Sequence, residues 1–174
     1  MFSRIAFVAA GILVVAPVAA AELPVRKAGL WELRVAVDGV NDPDQTMEHC
    51  TDQASDKAMM AAFSGMQAEI CPQRETKAVG NTIVIESVCR IGPITMNSRA
   101  VISGDFNSAY VVKVVSKRSG GPTLHGVPEA TNMTIDAKWA GACKPGQRPG
   151  DIVMPGGVKM NINEIQRQRL PGAR

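Results

Sequence analysis

Few side chains in this 174-residue sequence are of the kinds that do chemistry. His49 stands beside Cys50, a pairing that could form a thiol–imidazole couple in which the ring withdraws the thiol proton. The second histidine, His125, lies far along the chain in a Gly- and Pro-rich stretch, so no nucleophile, base and orienting acid can be assembled. If Cys50 is oxidised there is no thiolate, and the couple lapses. Asp42, Asp44 and Asp105 sit in turn-like contexts and read as solvated turn residues. No catalytic residue is assigned, no cofactor is implied, and a non-enzymatic role is expected.

Methionine offers a softer chemistry. There are nine, and exported proteins can use thioethers as ligands for Cu(I). Met59 and Met60 are adjacent, and Met154 and Met160 come late in the chain, but no M-x-M or M-x-x-M pattern is present. For Met59, Met96 and Met133 the plainer reading is gap-filling in an aliphatic core. No metal site is assigned, and copper binding stands as a third reading of function. "NMT" at 132–134 fits a glycosylation sequon but falls in mid-strand, which argues against its use.

The first 21 residues have the parts of a secretory signal. Arg4 supplies the positive end, Ile5 to Val18 the apolar stretch, and Ala19 to Ala21 the small residues before a cut after about Ala21. The apolar run is short for a membrane span and is interrupted by Pro17, so export with cleavage is expected, and the mature chain should not span a membrane. The formal net charge is +3, reduced by one when Arg4 leaves, which is too small to point to nucleic acid. The remainder is long enough for one domain with a single core. An even set of four cysteines, Cys50, Cys71, Cys89 and Cys143, in an exported chain reads as two disulfides.

The elements follow from periodicity. In "LWELRVAV" Trp31, Leu33, Val35 and Val37 share one face, with Glu32 and Arg34 on the other. A short strand "QTMEHC" leads to a helix over "TDQASDKAMMAAFSGM", capped by Thr51 or Asp52 and stopped by Gly65, with Ala58, Met59, Ala62 and Phe63 at helical spacing. Strands return in "CPQRETKAV" and "NTIVIESVCRI", which flank a Gly80-Asn81 turn suited to positive φ. "ITMNSRAVIS", "AYVVKVVSKR" and "NMTIDAKWA" complete the pattern. One-faced alternation predicts a mainly β, single-domain fold: a curved antiparallel meander or small barrel-like sheet of about seven strands with one short helix. The β-rich domain is placed at 22–150. The segment 151–174, rich in Pro and Gly, is expected to be extended or partly disordered.

The hairpin puts Cys71 within about one residue of Cys89 across the turn, near enough to bridge, which leaves Cys50 with Cys143. The rival pairing, Cys50 with Cys71 at the base of the helix, stays open. Trp31 and Trp139 fall on the apolar faces of the first and last predicted strands and would meet if the sheet closed. They are either core anchors or, with Leu33 and Tyr110, the lining of a hydrophobic ligand pocket.

The order of these features resembles the bacterial family catalogued as domain of unknown function 3617, small exported proteins of Gram-negative bacteria. The resemblance covers roughly residues 24 to 150. It rests on Gly29, Leu30, Trp31 and Glu32, the Cys50 strand, the "GNT" turn at 80–82 and the closing "GAC" at 141–143. It implies a periplasmic location and brings no assigned activity. The expectation is a monomeric, non-enzymatic binding or interaction module of the cell envelope, with a small hydrophobic ligand as one candidate partner. The alternative is a protein-directed inhibitor or chaperone acting through the loop at 116–131.

Overall fold

Alternating apolar residues build the first strand, β1 (Gly29–Val37), in which Leu30, Trp31 and Leu33 are buried. β1 forms a hairpin with β2 (Thr46–Thr51), with Trp31 opposite His49. The computed structural model describes residues 23–40, 46–122 and 128–169. The expected signal segment at 1–21, Asp42, Asp44 and His125 lie outside the described residues.

The helix α1 (Gln53–Ile70) follows directly. Asp52 is its N-cap: its carboxylate accepts from the Ser55 backbone N–H at 2.7 Å, while Ser55 Oγ accepts from the Asp52 N–H at 2.9 Å. Gly65 does not stop this helix, which runs on to Ile70. A mid-helix glycine costs about 1 kcal/mol, yet the helix continues, and Met66, Gln67 and Ile70 beyond it line the space above the sheet.

α1 carries the chain to the far edge of the sheet. There a meander begins: β3 (Gln73–Val79), β4 (Thr82–Ile91), β5 (Ile94–Asp105), β6 (Ala109–Ser119) and β7 (Ala130–Gly141). The β3–β4 turn has Gly80 alone at positive φ (57°), the pattern of a II′ turn, so Asn81 is not left-handed as its residue type had suggested. β7 returns to pair with the free edge of β1, and the strand order is β3-β4-β5-β6-β7-β1-β2-β8-β9. All pairs are antiparallel, and β3 and β9 are edges, so the sheet is open and not a barrel. Trp31 and Trp139 are nonetheless opposite one another, because β1 lies in mid-sheet.

The segment after residue 150 corrects the expected extended or partly disordered tail over its described part. It holds β8 (Asp151–Val153), β9 (Lys159–Asn161) and α2 (Ile162–Arg169), giving nine strands and two helices among the described residues. Its anchor is polar and so leaves no hydrophobic period to read. Asp151, fully buried, accepts from Asn161 Nδ2 at 2.7 Å and from the Arg148 N–H at 3.0 Å. Burial raises the Asp151 carboxyl pKa, but the Asn161 and Arg148 hydrogen bonds and the Lys159 ammonium outweigh it and hold the carboxyl low. Gln166 of α2 donates to the Ala58 carbonyl of α1, docking the second helix on the first.

Candidate functional site

The sheet face under α1 is apolar, and the helix does not fill the space above it. Between them lies a cavity of about 520 Å³, within the range of small-molecule sites. Ile85, Ala100, Val112, Val114 and Ile135 form the sheet side, and Met59, Met60, Phe63, Met66 and Ile70 the helix side. The two ends of α1 differ. Ser55 and Asp56 in the first turn are buried, whereas Phe63 and Met66 are 47% and 44% exposed and Ile91 of β4 is 55% exposed. Large apolar side chains left in water beside an apolar cavity mark its mouth.

The closed end is polar. Arg26 arrives on the segment before β1 and is buried against Asp56 of α1. Its Nε donates to Asp56 Oδ1 at 2.7 Å, one terminal nitrogen lies 2.7 Å from the same oxygen and donates to Met59 Sδ at 3.7 Å, and its backbone N–H donates to Oδ2 at 2.8 Å. The other terminal nitrogen points at His49 Nδ1, 3.4 Å away. Guanidinium only donates, so Nδ1 is assigned as the acceptor and the ring proton belongs on Nε2. Burial, reinforced by the Arg26 charge, pushes the His49 pKa down to about 4, so the ring is neutral at pH 7. Burial likewise raises the pKa of the Tyr110 hydroxyl. Arg26, His49, Asp56 and Tyr110 all border the cavity.

The tryptophans hold this end in place. Trp31 Nε1 donates to the Lys27 carbonyl at 2.8 Å and Trp139 Nε1 to the Ala28 carbonyl at 3.0 Å. Lys27 N–H donates to the Phe106 carbonyl at 2.9 Å, and its ammonium lies 3.5 Å from the Trp139 ring centroid. Gly29 makes the approach possible: a Cβ there would lie 2.2 Å from the Gly141 carbonyl oxygen and 2.7 Å from Trp139 Nε1, at φ +128°.

Two further polar features border the apolar walls. Gln67 Oε1 is buried and has no hydrogen-bond partner among the described residues. Ser87, Ser98 and Ser116 stand opposite one another across β4, β5 and β6, with 2.9 Å between the Ser98 and Ser116 hydroxyl oxygens.

Of the four residues expected to line a pocket, Leu33 and Tyr110 border the cavity. Trp31, 0% exposed and 5.5 Å from the Tyr110 ring, packs behind them in the core, and Trp139 packs beside it. Cys50 is bonded to Cys143, and Cys71 to Cys89, so His49 has no neighbouring thiol. Met59, Met60, Met66, Met96 and Met133 all line the cavity. Among the described residues no group of three or more His, Cys, Asp or Glu side chains is placed to hold a metal ion. Arg26, Asp56 and Gln67 were not singled out from the sequence. An Arg beside a presumed cleavage site and an Asp in a helix's first turn both have ordinary explanations.

None of the curated proteins and none of the solved structures compared with the chain matches it. The family described as "Protein of unknown function (DUF3617)" matches it over residues 26–143. That span begins at the buried arginine, ends at the last cysteine and takes in α1, the meander and the whole of the cavity's polar end. The chain belongs to this family.

Proposed function

We propose that the protein is an exported, non-enzymatic binding module of the cell envelope that holds a small hydrophobic ligand between α1 and the sheet. The cavity carries this reading: about 520 Å³ of apolar space with exposed apolar side chains at its mouth. The two disulfides support the location, since such bonds persist in oxidising compartments such as the periplasm.

The test uses the purified oxidised protein and the neutral dye N-phenyl-1-naphthylamine. Its fluorescence is expected to rise and saturate at one dye per chain. Ala100→Trp, which places an indole in the cavity, is expected to abolish that rise while the sheet's circular dichroism is kept. No dye binding by the unmodified protein, or equal binding by the variant, would overturn the reading.

A further inference from the structure

We infer that the ligand is an uncharged amphiphile, an apolar chain with a hydroxyl-type head that enters the cavity rather than staying in water. The inference rests on the cavity being a ligand site, and two observations at different points along that cavity carry it.

The first is electroneutrality at the closed end. Arg26 and Asp56 are the only ions bordering the cavity among the described residues, and they neutralise one another with two guanidinium nitrogens 2.7 Å from Asp56 Oδ1. His49 and Tyr110 beside them are uncharged at pH 7. A carboxylate or phosphate pushed in among these groups would be a buried charge with no counter-ion, and so would an ammonium. A hydroxyl brings no charge and can both donate and accept.

The second is the orphaned Gln67 Oε1 on α1. A buried carbonyl oxygen without a partner is costly, and the side chain that carries it lines the cavity. A carboxylate has no proton to give this oxygen and could be served only by the amide's NH2 group. A hydroxyl serves the amide in either of its flipped orientations. The Ser87 and Ser98 side chains also border the cavity, so its polar fittings are all of the neutral hydrogen-bonding kind apart from the paired ions.

The test is displacement of N-phenyl-1-naphthylamine from the full oxidised protein at pH 7.5 by decanol, decanoate and decyltrimethylammonium. Decanol is expected to displace the dye at a concentration at least about tenfold below either ion, because each ion must shed its water without a partner. Gln67→Leu is expected to weaken decanol by about tenfold relative to the dye, whose own affinity for the variant is measured first. Asp56→Asn uncovers the Arg26 charge and is expected to improve decanoate without improving decanol. Should Asp56→Asn fail to fold, the three-ligand series and Gln67→Leu still decide the matter. Equal displacement by all three ligands, tightest binding by either ion, or indifference of decanol to Gln67→Leu would each overturn the inference. Those results would leave the hydrophobic-ligand reading standing. Absence of dye binding removes both.

Discussion

Replacing Arg26 by methionine strips a guanidinium from a carboxylate that stays almost completely enclosed: the two side chains are 7% and 2% exposed. Asp56 loses the Nε–H bond and the ion-pair contact to Oδ1 and keeps only the backbone N–H of residue 26 on Oδ2. Breaking a buried pair by removing one partner costs about 3–5 kcal/mol. The surviving backbone bond places this case near 3. With a urea dependence of about 2 kcal/mol per M, the unfolding midpoint should fall by about 1.5 M. The informative companion is the double variant Arg26→Met/Asp56→Leu. It removes both ions, so the desolvation penalty disappears with the attraction, and most of the lost stability should return. Urea unfolding followed by the fluorescence of Trp31 and Trp139, with both disulfides intact, measures all the variants. A single-variant loss below about 1 kcal/mol would refute the claim that the pair is functionally buried. A double variant as unstable as the sum of the singles would refute the account of why.

Three other outcomes follow from the same geometry. His49 has its pKa lowered from 6.5 to about 4, so the unfolded chain binds the extra proton between those values and stability falls as pH drops through that window. The loss is about 3 kcal/mol in all and levels off below pH 4, and His49→Gln should flatten the urea-midpoint profile. Gly29→Ala must move the Gly141 carbonyl or the Trp139 indole and also adopt positive φ. It should cost more than about 1 kcal/mol and weaken dye binding, because it displaces the segment that carries Arg26. Removing Cys50–Cys143, which spans 93 residues, should cost about 4–5 kcal/mol, against about 3 kcal/mol for Cys71–Cys89 with its 18-residue separation. Melting temperatures of the two Cys→Ser pairs would show the order, and the reverse order would contradict it.

Where one side of a strand is dry and the other wet, the sequence announces the element. β1, β5, β6 and β7 are legible for this reason, and so is the helix after Asp52, with its capping pair and its apolar stripe. Gly80 marks a real turn, and the hairpin it makes brings Cys71 to Cys89. β8, β9 and α2 escaped notice because strands of three residues show no period and their anchor, Asp151 with Asn161, is polar. The polar end of the cavity was illegible for a different reason. Arg26 and Asp56 are 30 positions apart in separate elements, and only the placement of α1 over the sheet makes them neighbours. The tryptophans were conspicuous by type, yet their task depends on which carbonyls their N–H groups reach.

The two disulfides are nested, and the order in which their cysteines leave the ribosome runs against that nesting. Cys50 and Cys71 are made first, joined by the segment that becomes α1, while the correct partner of Cys50 lies 93 residues away at the end of β7. An oxidant meeting the growing chain before α1 has formed could therefore join Cys50 to Cys71 before Cys143 exists. The resulting link would hold together two residues that the 18-residue helix must set about 27 Å apart, so α1 could not form, and it would leave Cys89 with Cys143. Only thiol exchange can undo it, and that is slow without an isomerase. Yield of the native pairing should thus depend on keeping the chain reduced until β7 has reached β1, which makes timing of oxidation a determinant of how much functional protein is made.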